Sequence, residues 1–319
     1  MGFTVDQIEA AGEQLRNVVV ETPILSLTQA KWGGRLPDAD VVVKLELFQQ
    51  TGSFKARGAY LGIARLDAAA KEAGVVAASG GNHAMAVAWA AKAAGVDALI
   101  AMPQATDPMR IEACRDMGAT VELCEDMPAA FDLMEAEAAK GRFLMHPFEG
   151  EHMALGSATL GAEYVRQSPD IDTFIIPIGG GGLISGMSTA IKLLRPDATV
   201  IGVEPVGADS MKRSFEAGEP VRLDKIDTIA DSLGSPLAMP FTYGLAKQNV
   251  DDIIHVTDEE LLDAMRDYKD VLRIMAEPAC AASLAAITGP LKSRLGGRKI
   301  GIIACGSNIG LDRYRKLLG

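Results

Sequence analysis

Short apolar runs recur along this 319-residue chain, each followed by a glycine- or proline-containing turn and usually by a helical stretch. Gly74–Ser79 leads through Gly80-Gly81-Asn82-His83 into the Ala-rich AMAVAWAAKAAG. Residues 97–102 (DALIAM) lead through a Pro-containing loop into MRIEACRDMGA. Residues 173–178 (TFIIPI) run into four glycines and then LISGMSTAIKLL. Residues 199–203 (TVIGV) end at Glu204-Pro205, and 299–304 (KIGIIA) end at Cys305-Gly306-Ser307-Asn308. Uninterrupted apolar strands alternating with helices predict an α/β protein with mainly parallel sheets covered on both faces. Ligands of such sheets bind at the carboxyl ends of the strands, where all these glycine-rich turns fall. The sequence has no internal repeat, low-complexity tract or long linker.

Composition narrows the class. The chain is 48% hydrophobic but only 5% aromatic, so Val, Ile, Leu, Ala and Met must build the core. A net charge of -11 repels nucleic acid and anionic membranes, while leaving room for a local phosphate pocket. Cys114, Cys124, Cys280 and Cys305 have neither CxxC nor metal-ligand spacing and read as reduced thiols. No signal peptide or membrane-spanning run is expected, and Asp6 stands where a myristoylation motif needs Ser or Thr. A cytoplasmic protein is expected.

Four segments carry candidate chemistry. In Thr51-Gly52-Ser53-Phe54-Lys55-Ala56-Arg57-Gly58-Ala59, a helix predicted to begin near Ser53 places Lys55 in its first turn. There the dipole and free N–H groups lower an amine's pKa, which suits a covalent nucleophile. The plain alternative is a solvated surface lysine. Gly179-Gly180-Gly181-Gly182 can aim several N–H groups at one anion at a helix start, or simply make a tight turn. A dinucleotide site fails there, because the sixth position from Gly179 or Gly180 is Ile184 or Ser185. Ser79-Gly80-Gly81-Asn82-His83 offers donors to a carboxylate, and Ser or Asn there would also serve as a helix N-cap. Cys305-Gly306-Ser307-Asn308-Ile309-Gly310 follows an apolar strand and reads, alone, as a buried thiol.

Together and in this order, these segments resemble the fold-type II pyridoxal-phosphate enzymes, in the serine/threonine dehydratase and serine racemase branch. The resemblance covers nearly the whole chain, taking in Glu21–Leu25, Lys44-Leu45-Glu46, Met102-Pro103, His146-Pro147-Phe148, Gly202–Pro205 and Thr228–Asp231. It implies a tryptophan synthase β-like fold of two open twisted domains. The large one comprises 1–72 and 149–319, the small one 73–148. It further implies that Lys55 holds pyridoxal 5'-phosphate covalently, Gly179 to Gly182 cradle its phosphate, and Phe54 packs near its ring. Asn82 would bond the ring hydroxyl and Cys305 face the ring nitrogen. Ser79, Gly81, Asn82 and His83 would bind the substrate carboxylate. The implied reaction removes water and then ammonia from a small β-hydroxy amino acid, L-threonine or L-serine first and 3-hydroxyaspartate as alternative, in a homodimer.

Departures from the pattern refine these expectations. Gly80 stands where racemases place an acid/base serine, so racemisation is not expected. The family's A-G-Q-G-T segment reads Leu155-Gly156-Ser157-Ala158-Thr159, which points to altered specificity. Glu204 and Ala208 match two ligands of a Mg²⁺ or Ca²⁺ site, but Ser210 replaces its carboxylate. Hydroxyaspartate would need a cationic partner, for which His152, Arg110 and Arg213 are candidates. No C-terminal regulatory domain is expected. An NAD-dependent oxidoreductase and a non-catalytic cofactor-binding protein are the readings from other classes.

Overall fold

The computed structural model describes residues 2–319. Ten strands form two sheets. Six of them, β1 (Ile24–Leu27), β2 (Asp40–Lys44), β7 (Thr173–Pro177), β8 (Thr199–Pro205), β9 (Asp252–Val256) and β10 (Lys299–Ile303), lie in the order β1-β2-β10-β7-β8-β9. Only β1 pairs antiparallel, with β2. The other four, β3 (Val75–Ala78), β4 (Ala98–Pro103), β5 (Thr120–Cys124) and β6 (Phe143–Leu144), make a wholly parallel sheet in the order β5-β4-β3-β6.

The alternation of side chains along a strand explains the layering. In β3, Val75 and Ala77 join one buried cluster, while Val76 and Ala78 join another on the opposite face. A strand buried on both sides needs no polar face, hence the unbroken apolar run in the sequence. The edge strand β5 reads Thr-Val-Glu-Leu-Cys and has no fully buried residue, so it lacks that signature.

Two features fix the helix Lys55–Ala64. The first is close backbone contact with the helix Glu151–Gln167. A Cβ on Gly156 would lie 2.5 Å from Gly58 Cα and 2.9 Å from the Arg57 carbonyl carbon, so only glycine permits this approach. The second is a buried cluster of charges. Arg57 donates to Glu46 at 2.8 and 3.0 Å and to Glu163 at 2.9 and 3.1 Å. Lys44 pairs with Glu163 and donates to the Thr22 carbonyl at 2.6 Å, and the Thr22 hydroxyl donates to Glu46 at 2.6 Å. Two cations thus meet two carboxylates with nearly every donor used, as burial of charge requires. The helix begins at Lys55 itself. Ser53 is extended (φ -161°) and bridges Gly306, two residues later than the sequence pattern placed the start.

Replacing Gly156 by Ala is expected to cost about 1–3 kcal/mol by overpacking. Gly12→Ala, in a helix with nothing near the added methyl, should be neutral or slightly stabilising. Equilibrium denaturation of both variants checks the contrast.

Candidate active site

The carboxyl ends of the central strands converge with the loops of the four-stranded unit. The backbone joins two motifs some 250 residues apart in the sequence. Ser53 bridges Gly306, and the Phe54 N–H donates to the Cys305 carbonyl at 3.2 Å. Lys55 follows immediately, with partial exposure to the cleft and its amine donating to the Pro147 carbonyl. That amine lies 5.1 Å from the Phe54 ring centroid. Desolvation lowers its pKa from 10.5 to about 8, with Cys305 opposing slightly. No salt bridge to Lys55 forms among the described residues. A lysine in that state has a substantial neutral fraction at physiological pH.

The tetraglycine follows β7 and opens the helix Gly182–Leu194. Gly181 has φ +89°, and its Cβ would meet Met211 Cε at 2.8 Å and Thr242 Cβ at 3.0 Å. A Cβ on Gly180 would enter the Phe148 ring, and one on Gly179 or Gly182 would lie 3.1 Å from the Cα of Leu233 or Phe148, respectively. Four consecutive glycines are therefore a packing requirement, beyond what a turn demands. Among the described residues no protein acceptor takes the N–H of Gly179, Gly180, Gly181 or Gly182. Four free amides at a helix start fit a phosphate.

Asn82 does not cap its helix. The helix Asn82–Ala94 is capped by Gly81, and the Ser79 hydroxyl accepts the Gly81 N–H at 3.1 Å. The Asn82 amide instead faces the six-stranded unit, accepting from Asn308 Nδ2 at 2.6 Å and donating to Glu277 Oε1 at 2.6 Å. Its second N–H is left for a ligand. His83 is buried, with Nε2 on the Met145 carbonyl at 2.8 Å and Nδ1 unpartnered. Cys305 is buried, its thiol 3.8 Å from the Ala279 carbonyl. The neighbouring Cys280 thiol and burial push its pKa well above the usual thiol range, so Cys305 is a neutral group.

The sequence did not single out Glu277 or Phe131. Glu277 is wholly buried at the start of the helix Pro278–Thr288, and no motif announces it. Phe131 begins an aromatic row. Its ring centroid is 6.0 Å from His146, which meets Phe148 edge-on at 4.7 Å, on either side of the carbonyl that holds Lys55.

The three cation candidates fare differently. Arg110 is buried and committed to the Gly80 carbonyl (3.0 Å), Asp231 (2.9 Å) and the Asn308 carbonyl (2.8 Å). Arg213 is exposed and pairs with Asp209 at 2.9 Å. Desolvation, helped by the charge of Lys55, lowers His152 and His146 to about 4, so both are neutral at pH 7. Glu204 is neither solvated nor in a salt bridge. It is buried and accepts the N–H groups of Met211 (2.8 Å) and Lys212 (2.9 Å), capping the helix Ser210–Ala217. Burial nonetheless raises its pKa to about 8. Ala208 and Ser210 are buried beside it, and the Ser210 hydroxyl has no partner. Among the described residues no group of three His, Cys, Asp or Glu could hold a metal, and no helix is long and apolar enough to cross a membrane.

Residues 15–306 match the family described as "Pyridoxal-phosphate dependent enzyme". The chain belongs to this family. It is 44% identical over 307 residues to a phenylserine dehydratase of Ralstonia pickettii, covering 96% of this chain and 93% of that one. It is 35% identical to an L-threonine ammonia-lyase of Thermotoga maritima, covering 99% and 78%. The solved structure of maize serine racemase superposes with a TM-score of 0.92 at 34% identity, covering 99% and 97%. The fold is that of the fold-type II enzymes, as the sequence pattern implied. The chain is a pyridoxal-phosphate-dependent lyase of the ammonia-lyase and dehydratase type.

The lowered pKa of Lys55 has a consequence for stability. The amine titrates near 8 in the fold and near 10.5 in the unfolded chain. Folding is therefore penalised below pH 8, and the penalty fades as pH rises to 10.5. In cofactor-free protein, Lys55→Met should gain roughly 2–3 kcal/mol at pH 7. The gain over wild type should shrink above pH 8, as denaturation at several pH values will register.

Proposed function

We propose that this enzyme dehydrates and deaminates a β-hydroxy amino acid whose β-substituent is uncharged, with an aryl substituent favoured, giving a 2-keto acid and ammonia. The aromatic row Phe131–His146–Phe148, whose last two members flank the Pro147 carbonyl that holds Lys55, carries the reading. Its two phenyl rings suit an aromatic partner and offer nothing to a second carboxylate. The Ralstonia relative's name agrees. L-Threonine or L-serine is the second reading, supported by the Thermotoga relative. Hydroxyaspartate is less well served, because Arg110 and Arg213 are paired and His152 is neutral.

In this reading Lys55 would hold the cofactor, the tetraglycine amides would receive its phosphate, Asn82 would donate to its ring oxygen and the neutral Cys305 thiol would accompany its ring nitrogen. When bound, pyridoxal phosphate supplies an electron sink beside the substrate's α-carbon. Ser79, Gly81, Asn82 and His83 orient the carboxylate. Lys55 Nζ, once free and neutral, takes the α-proton. The β-hydroxyl departs as water, and the released enamine hydrolyses to keto acid and ammonia. At Gly80 a Cβ would already lie 2.6 Å from Thr106 Oγ1. A proton donor at that position would therefore displace Thr106, which supports elimination over racemisation. We read the four-stranded unit as the small domain and expect a homodimer. Glu204 is read as a helix cap rather than a cation ligand, so added Mg²⁺ should leave turnover unchanged.

The test is keto-acid and ammonia release from 3-phenylserine, L-threonine, L-serine and 3-hydroxyaspartate. The highest kcat/KM is expected with phenylserine. Phe131→Ala should reduce that value about tenfold while leaving threonine within about threefold. A preference for hydroxyaspartate, or no keto acid from any of them, would overturn the assignment.

A further inference from the structure

Glu277 is fully buried, as are Glu46 and Glu204, but Glu46 is paired with Arg57 and Glu204 caps a helix, whereas two side chains of the four-stranded unit converge on Glu277. Asn82 Nδ2 donates to its Oε1 at 2.6 Å, and Arg110 Nη2 lies 3.7 Å from its Oε2, which has no hydrogen-bond donor. The residue starts the helix Pro278–Thr288 without capping it, so local structure does not explain its presence. Space is tight: a Cβ on Gly306 would lie 2.7 Å from Glu277 Oε1 and 3.0 Å from Asn82 Nδ2.

The hydrogen bonds around Asn82 run in one direction. Asn308 spends its amide hydrogens on the Thr51 carbonyl and on Asn82 Oδ1, both at 2.6 Å. The oxygen of Asn82 must therefore face Asn308, and its NH₂ must face Glu277. Burial raises the Glu277 pKa to about 7, with Arg110 opposing; in its ionised form the carboxylate can only accept and so locks that orientation, whereas an amide at 277 could turn and donate. One Asn82 N–H is consumed, and the other is held in a fixed direction.

Arg110 ties the same carboxylate to the position of the four-stranded unit. Its other donors reach Asp231 and the Asn308 carbonyl in the six-stranded unit, and Arg313 also donates to Asp231, at 2.9 Å. Asp107 adds a further tie by accepting the Gly310 N–H at 2.9 Å. Breaking the Asn82 and Arg110 contacts together would leave Glu277 buried and uncompensated, which is costly.

We propose that Glu277 is a positioning residue: it fixes Asn82 as a hydrogen-bond donor toward the cofactor and, with Arg110, docks the four-stranded unit over the cofactor site. The proposal rests on the reading of Asn82 as the partner of the cofactor's ring oxygen. It assigns Glu277 no proton transfer.

Holoenzyme carrying Glu277→Gln, Glu277→Ala or Asn82→Ala tests it. Visible absorbance of the bound cofactor and equilibrium dialysis of pyridoxal phosphate are the readouts. Glu277→Ala should move the absorbance band in the same direction as Asn82→Ala and weaken retention about tenfold, the loss of one charge-assisted hydrogen bond. Glu277→Gln keeps an acceptor and the volume, so its retention should fall by only about threefold. If Glu277→Ala does not fold, Glu277→Gln carries the test through its absorbance shift. A change in Asn82→Ala with wild-type spectra and retention in the foldable Glu277 variants overturns the proposal alone. Wild-type behaviour in Asn82→Ala overturns the reading of Asn82, and the proposal with it.

Discussion

An amine held against a carbonyl, without a carboxylate to neutralise it, is the constraint around which this molecule is arranged. Lys55 sits at the first position of its helix, where the dipole already opposes a positive charge, and desolvation opposes it further. Such a group weakens the fold unless it is needed. The surroundings hold it in place: the Pro147 carbonyl on one side, the Phe54 ring on another, and the Ser53–Gly306 bridge behind. Beneath it, the Arg57–Glu46–Glu163–Lys44 cluster and the Gly58–Gly156 contact fix the helix. The cost of burying charge is concentrated where that charge is balanced, two residues away from an amine left unbalanced.

Around this amine the two sheets contribute different chemistry. The six-stranded unit brings the free amides of the tetraglycine and the neutral thiol of Cys305, groups suited to a phosphate and to an uncharged ring nitrogen. The four-stranded unit brings Ser79–His83 and, through its last loop, the His146–Phe148 turn. The two meet through Asn82, Arg110, Asn308 and Glu277, a polar seam running beside the cleft. The contacts between the two units thus run through the same side chains that line the cleft, and a buried acid outside every recognised motif is among them.

Much of this was legible in the sequence. β3, β7, β8 and β10 stand out because strands buried on both faces leave no polar alternation, and each ends in a glycine- or proline-containing turn. Lys55, the tetraglycine and Asn82 stand out through their combination and order, since each alone also fits a solvated lysine, a tight turn or a helix cap. β1 and β5 were not legible, since edge strands mix polar and apolar residues as loops do. Glu277 was not, because one acid before a proline has no pattern and its meaning comes from partners near 82 and 110. Phe131 lies on a helix face and becomes informative only when folding sets it beside His146. Glu204 was legible only as a candidate cation ligand, and its backbone contacts to the helix that follows, with Met211 and Lys212, could not be read from the sequence.

The central claim is that Lys55 is the covalent anchor of the cofactor. Borohydride reduction of the holoenzyme, followed by peptide mass mapping, tests it most directly. The account predicts a pyridoxyl group on Lys55 and no fixed cofactor in Lys55→Ala. A pyridoxyl group on another lysine of the wild-type protein, or none at all, would contradict it.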